Sequence, residues 1–362
     1  MNTYHVLPGK KRNDSEDEGW FHRMNQFQRK ETLKQVVFRD NNFPGISNGP
    51  YSKNPDHLYP HILPPGNESR VYYGDYDDIK EYFDESGITF HTESLNLKSS
   101  QVCCINLLFP LKKDISKATA VFKLLFPNLQ NISKIEFEYT GDDNEYRELG
   151  EPESGKRGQN RTSIDAAVFW KDKSNIEHIS FIEWKYTEPG FGGCSAFNDT
   201  DKDEVKLKCL NQRVLESPEE YCLVTTGSPL RNRTYWKLME KAGIDINLFT
   251  SKEGCPFRGP FYQLMRQYLL AYLVTKNKPE AKVEVVSMAF ENNASIHKIP
   301  RYLKDLAATQ NTKDIITLWN SIIKPPSLPL GYITVEKFVK AVDDSGAYDE
   351  SWRNYIKERY GL

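Results

Sequence analysis

The run Phe181-Ile182-Glu183-Trp184-Lys185-Tyr186 sets an acid and a base two residues apart inside an apolar segment. Side chains alternate along a strand, so residues 183 and 185 share one face while Ile182, Trp184 and Tyr186 share the other. Charges in such a strand are costly unless they are paired or bind a metal. A second apolar run, Ser163–Trp170, carries a lone acid, Asp165, and Lys171-Asp172-Lys173-Ser174-Asn175 between the two is a good hairpin connection. The hairpin makes the strands neighbours and lets Asp165 approach Glu183. Acid-x-Lys spacing alone decides little, because Asp78-Ile79-Lys80, Glu204-Val205-Lys206 and Glu280-Ala281-Lys282 share it in polar or helix-like surroundings. The rival reading of 183–185 is a structural ion pair at a sheet edge, from Lys185 to Asp165 or Glu183.

Around this hairpin the pattern alternates helix and strand. Residues 24–38 and 76–86 read as helices, the second ended by Gly87; residues 41–65 look irregular because Pro44, Pro50, Pro55, Pro60, Pro64 and Pro65 interrupt them. Leu95–Leu108 has helical character, with Ser94 as a cap and an end before Pro110, and Asp114 caps a further helix through Leu125. Ile132–Thr140 reads as a first strand, 163–170 as a second and 178–187 as a third. Loop and short helical pieces follow at 204–216 and 233–242. A nearly all-apolar helix spans 261–275, a fourth strand 282–290, and helices at 299–309, 314–323, 335–342 and 350–359 close the pattern. The fold class is α/β with a mixed central sheet.

Composition narrows the function classes. Of 362 residues, 38% are apolar and 12% aromatic, which excludes a disordered chain. The formal charge of −2 means that nucleic-acid binding would need a local basic patch. No secretory signal is visible at Met1–Pro8, and the longest strongly apolar run, Tyr268–Val274, is far short of a membrane span, so a cytoplasmic location is expected. Disulfides are then not expected. Cys194, Cys209, Cys222 and Cys255 could converge in space, but no recognised ligand spacing supports a zinc or iron–sulfur site, and ordinary thiols are the expectation.

Two carboxylates and a lysine on adjoining strands suit phosphodiester hydrolysis. That reaction needs a metal to offset charge on the phosphoryl oxygens and to acidify a water, and a cation to orient the water. Magnesium takes hard oxygen ligands, usually one or two carboxylates. The order Asp165, then Glu183-Trp184-Lys185, resembles the PD-(D/E)XK nuclease superfamily. The blocks Ser99-Ser100-Gln101, Asn106-Leu107-Leu108-Phe109-Pro110-Leu111, Thr162-Ser163-Ile164-Asp165 and Ile182-Glu183-Trp184-Lys185-Tyr186-Thr187-Glu188 resemble a bacterial group of restriction endonucleases within it. The proline of the superfamily name is absent, since Ile164 precedes Asp165.

The resemblance covers roughly 91–300, with weaker echoes in 55–90. It implies a restriction-endonuclease-like core, α-β-β-β-α-β, between an N-terminal extension (1–90) and a helical C-terminal extension (301–362). It implies Mg²⁺, with Mn²⁺ as a substitute, held by Asp165, Glu183 and the Trp184 carbonyl, with Lys185 beside the water. It also implies DNA as the substrate and a restriction or defence role. A homodimer is one way to cut both strands of a duplex. The same superfamily serves repair and RNA cleavage, and a non-catalytic nucleic-acid-binding module on the same fold is the alternative.

Other residues are candidates for supporting parts. In the helix 261–275 the polar side chains up to Ala271, tyrosines aside, are Gln263, Arg266 and Gln267, a narrow stripe that faces either solvent or the site. Gln263 is the first choice for a site contact. Glu138 is favoured over Glu136 and Glu93 as a further acid. Lys156, Arg157, Arg161 and Arg266 are candidates for substrate phosphates, with Arg231, Arg233 and Arg258 behind them. His57, His61 and His91 are too dispersed to outrank ordinary structural histidines.

Overall fold

The computed structural model describes residues 19–153, 161–198, 203–225, 232–325 and 328–362. Helix α1, Gln26–Asn42, starts at a reciprocal cap: the Asn25 side chain accepts from the Gln28 N–H, and the Gln28 side chain accepts from the Asn25 N–H. The stretch expected to be irregular contains a short antiparallel ribbon, β1 (Gly49–Tyr51) with β2 (Asn54–Tyr59). Pro50 and Pro55 are tolerated because each strand of a two-stranded ribbon has an unpaired side. Helix α2, Tyr76–Glu85, begins at the Asp75 cap and turns off at Gly87, whose φ is 62°.

Helix α3 departs from expectation at both ends. It spans Ser100–Lys113, with Ser99 rather than Ser94 as its cap, and it runs through Pro110. A proline there cannot donate to the carbonyl of residue 106. The Trp352 indole supplies the missing donor, from Nε1 to the Asn106 carbonyl at 2.9 Å. Tertiary structure thus repairs the gap that proline leaves. Helix α4, Ile115–Leu125, follows from Asp114, whose carboxylate accepts from the Ser116 and Lys117 amides.

Five strands then build the main sheet in the order β3 (Leu129–Tyr139), β4 (Ile164–Asp172), β5 (Glu177–Lys185), β6 (Ala281–Ala289) and β7 (Leu330–Thr334). β3, β4 and β5 are antiparallel neighbours, whereas β6 joins β5 in parallel and β7 joins β6 in parallel. Helix α5, Phe261–Asn277, leads into β6. Strand β7 lies between the helices expected at 314–323 and 335–342, in an extension read as helical. Its five residues include the β-formers Tyr332, Ile333 and Thr334, but Gly331 and the prolines just before it hide the strand signal. Helices α6 (Ile315–Ser321), α7 (Val335–Ser345) and α8 (Glu350–Tyr360) complete the described chain.

The sheet separates two cores. Ile179 and Phe181 of β5 pack with α5 and α6 on one side, while Ile182, Trp184 and Tyr186 pack with α3, α4 and α7 on the other, as strand alternation requires. No helix among the described residues is long and apolar enough to cross a membrane.

The second core is closed by a seam between α1 and α8. The buried Arg359 guanidinium donates to Gln35 Oε1 at 3.2 Å, to the Leu97 carbonyl at 3.1 Å and to the Val71 carbonyl. Gln35 in turn donates to the Arg359 carbonyl at 2.8 Å and to the Tyr186 hydroxyl at 2.9 Å, and that hydroxyl donates to Glu31. Replacing Arg359 with methionine removes the donor to Gln35 Oε1 and the Leu97 carbonyl inside the core, while the Val71 carbonyl keeps its bond from Asn106. Arg359→Met is expected to lower the unfolding free energy by about 3 kcal/mol, read from the urea midpoint, and to raise amide exchange in α1 and α8 first.

Candidate active site

The site forms where β4 leaves β5. Their pairing runs from Lys171↔Glu177 to Ala166↔Ile182 and stops, while β5 continues beside β6 as far as Lys185↔Ala289. Asp165 and Glu183 face the opening. In place of a ladder carbonyl, the Asp165 carboxylate accepts from the Trp184 N–H at 2.6 Å.

Strand alternation breaks at this point. Ala166 lies in the core beside α3, but Ile164 and Ala167 both lie in the core beside α5. Opposite, between the Phe137↔Ala166 and Tyr139↔Ile164 pairs, Glu138 adopts φ 47°. A glutamate in the left-handed region is uncommon and persists only where surroundings impose it. Its carboxylate accepts from Gln101 Nε2 at 2.8 Å and from the Ser163 hydroxyl at 2.7 Å.

Glu183 is held from three sides. Lys185 Nζ stands 2.5 Å from Oε1, Gln263 Nε2 donates to the same oxygen at 2.5 Å, and Gln267 Nε2 donates to Oε2. The polar stripe of α5 therefore faces the site and not solvent. Gln263 Oε1 accepts from Lys185 Nζ at 3.1 Å and from the Gly192 N–H at 2.6 Å, which ties the loop after β5 to the same cluster. Gln267 Oε1 and Ser287 Oγ, the latter in register with Glu183, are buried with no hydrogen-bond partner among the described residues.

Three carboxylates and one ammonium thus share a small volume. Burial, then the charges of Glu183 and Glu138, pushes the Asp165 carboxyl well above its ordinary range, against Lys185 and the Trp184 N–H. Burial and Glu183 also raise Glu138, against its two donors. Burial alone would lower the Lys185 ammonium, but Glu183, Glu188 and Asp165 more than offset it, and its pKa stands above the ordinary lysine value.

A cleft of about 680 Å³ opens over the cluster and is lined by Asp165, Glu183, Lys185, Arg161, Arg233 and Arg266, among others. Arg266 Nε donates to Thr162 Oγ1 at 2.9 Å, and Thr162 and Tyr235 both donate to the buried Glu151 behind it. Arg161 stacks 3.8 Å from the Tyr146 ring centroid. Lys98, at the other wall, was not foreseen; burial lowers its pKa to about 7 against the pull of Glu188. Nothing in the sequence marks it, since its burial is tertiary.

Some candidates do not reach the cleft. Arg258 is buried, donates to the Glu253 and Cys255 carbonyls and stacks on Tyr302, so its role is in packing. Glu136 pairs with Lys134 at 2.6 Å. Glu93, by contrast, does line the cleft, and accepts from the Ser52 N–H at 3.0 Å. Lys156, Arg157 and Arg231 lie outside the described residues. Among the described residues no group of three or more His, Cys, Asp or Glu side chains is arranged to hold a metal ion, neither the acids of the cleft nor the histidines at 57, 61 and 91.

The crowding of carboxylates has a measurable consequence. A carboxyl whose folded pKa is raised destabilises the fold wherever it is ionised. Asp165→Asn keeps an acceptor for the Trp184 N–H and removes one negative charge. It is expected to stabilise the protein by about 1 kcal/mol at pH 8, seen as a higher Tm. The gain should fade toward about pH 4, where an unfolded aspartate takes up its own proton. An Asp165–Lys185 ion pair that held the fold together would give the opposite sign.

No curated protein and no solved structure matches the sequence. A protein-family model does: residues 24–361 match the family described as restriction endonuclease associating with ARP, and the chain belongs to that family.

Proposed function

We propose that this chain is a divalent-metal-dependent endonuclease that hydrolyses phosphodiester bonds of DNA. The observation that carries the reading is the Lys185 ammonium fixed 2.5 Å from Glu183 beside a half-buried Asp165, at the floor of an open cleft. The family description points to restriction endonucleases. The run α3, β3, β4, β5, α5, β6, with α4 between α3 and β3, supports reading the α-β-β-β-α-β order of a PD-(D/E)XK core here.

The donor set suits Mg²⁺. Asp165, Glu183 and Glu138 offer hard oxygens, their mutual repulsion is relieved by a divalent cation, and two buried polar atoms nearby lack partners. Asp165 and Glu183 would hold the ion with the Trp184 carbonyl, Glu138 would be a further acid, and Mn²⁺ would substitute. Such an ion supplies positive charge against the phosphoryl oxygens and acidifies water. An incomplete protein cage fits Mg²⁺, which keeps several waters.

The residues of the chain do the positioning. Lys185 Nζ, held beside Glu183, would orient the attacking water and set positive charge next to the phosphoryl group. Gln263 fixes the direction of its ammonium, and Gln267 holds the second oxygen of Glu183. Arg161, Arg233 and Arg266 meet the phosphates of the bound strand, and Lys156 and Arg157 are further candidate cations. A homodimer would bring two such sites to a duplex.

The test is cleavage of plasmid, linear and single-stranded DNA with Mg²⁺, Mn²⁺ or EDTA. Cleavage should need the metal, and Lys185→Ala should lower it by about 100-fold or more with the fold intact by circular dichroism. Binding with no cleavage of DNA containing many sequence contexts would favour a non-catalytic module. Cleavage that survives EDTA would overturn the metal reading. Separately, Arg161→Ala should weaken DNA binding for all sequences alike and reduce the slope of log K against log salt by about one.

A further inference from the structure

We propose that Cys194, Cys209, Cys222 and Cys255 form a four-thiolate site for a single zinc ion, which staples the segment between β5 and α5 against the back of the cleft. The proposal does not depend on the nuclease reading.

That segment, residues 186–260, contains no strand among its described residues, and its helices are short: Ser195–Asn198, Asp203–Leu210, Pro218–Tyr221 and Tyr235–Lys241. A stretch with so few backbone ladders needs another source of order, and metal sites are a common one. Four of the six cysteines fall in it, at four separate places: Cys194 before Ser195–Asn198, Cys209 near the end of Asp203–Leu210, Cys222 after Pro218–Tyr221 and Cys255 before Pro256, while Cys103 and Cys104 sit in α3 within the other core.

The fold brings the four together. All are buried free thiols, and all four line one cavity of about 20 Å³ beside Tyr235 and Tyr262. That volume admits about one water-sized body, enough for an ion and too little for an iron–sulfur cluster. The backbone is drawn in close at two of these places. Cys255 N–H donates to the Cys209 carbonyl at 2.7 Å, and Gly254 before it has φ 73°, with space for a Cβ only 2.6 Å from that carbonyl. Cys194 N–H donates to the Arg258 carbonyl at 3.2 Å, and a Cβ on Gly193 before it would lie 2.7 Å from Asn198 Nδ2. Gly254 thus occupies a position that only a bare backbone satisfies, and Gly193 sits in a tight one.

Burial pushes the Cys194, Cys209 and Cys255 thiols up, and the neighbouring sulfurs add to it; nearby backbone amides, of Phe197 and Ala196 for Cys194, of Leu223 for Cys209 and of Phe257 for Cys255, pull toward the thiolate, the form that binds metal. A divalent ion at the centre would favour the thiolates further. As they stand, the four thiols are not arranged to hold a metal ion. Holding one requires rotation about the single side-chain torsion of each cysteine.

The cluster sits directly behind the candidate active site. Tyr235 and Tyr262 line both cavities. Two residues before Cys194, Gly192 donates to the Gln263 oxygen that also receives the Lys185 ammonium. An ion there would hold this loop, and through it the direction of Lys185.

The test is metal analysis of full-length protein expressed with supplemental zinc and purified with no chelator and no histidine tag. About one zinc per chain is expected, lost in the Cys222→Ser/Cys255→Ser double variant and kept in Cys103→Ser. If the double variant fails to fold, wild-type protein stripped of metal and titrated with Co²⁺ serves instead: sulfur-to-cobalt charge-transfer bands and the visible bands of tetrahedral cobalt support the site. Zinc that is lost in Asp165→Asn and retained in the cysteine double variant overturns the proposal, because the ion then lies in the cleft. Iron with labile sulfide overturns the single-ion assignment. Metal-free protein whose four thiols are disulfide-bonded, or react freely while it is folded, overturns the site altogether.

Discussion

One ammonium among three carboxylates sets the terms for everything near the end of β5. Lys185 reaches Glu183 at 2.5 Å, and no other cation among the described residues pairs with that carboxylate. The remaining partners of the acids are neutral: two glutamines for Glu183, a glutamine and a serine for Glu138, a backbone amide for Asp165. Neutral donors satisfy hydrogen bonding but leave the excess negative charge in place. The strand kink at Ala166 and the left-handed Glu138 keep the acids together in spite of it. A fold selected for stability alone would have little use for such an arrangement. Charge concentrated ahead of need is what a site for a divalent cation requires.

The parts of this arrangement that were legible in the sequence are those governed by local rules. Alternation in 181–186 identifies which face carries Glu183 and Lys185, and the hairpin places Asp165 beside them. Asp114 identifies the start of α4 because its carboxylate serves two adjacent amides. The stripe Gln263, Arg266, Gln267 points to one face of α5, although only the packed structure decides between solvent and site. Local rules mislead where a distant group intervenes. Pro110 reads as a helix end, yet Trp352, 246 positions beyond Asn106, provides the donor that lets α3 continue. Strand β7 is invisible for a related reason: its order comes from β6 and not from its own five residues.

Charged residues of one type also divide in ways that spacing does not show. Arg258, just before α5, and Arg266, within it, look alike in sequence. One is buried under Tyr302 and spends its hydrogens on carbonyls, whereas the other emerges between Thr162 and Glu151 into the cleft. The four cysteines of 194–255 present the same difficulty in stronger form. Their spacings match no familiar pattern because they come from separate stretches of chain, and their convergence is a property of the whole segment.

The seam between α1 and α8 joins Gln35 to Arg359 across 324 positions, and Gln35 also grips the hydroxyl of Tyr186 next to Lys185. Closing so long a loop brings little return until the sheet inside it exists. Contact order therefore places this seam among the late events of folding. It also makes the rigidity of the strand end that carries Lys185 one of the last properties the chain acquires, and among the first to be lost when it begins to open.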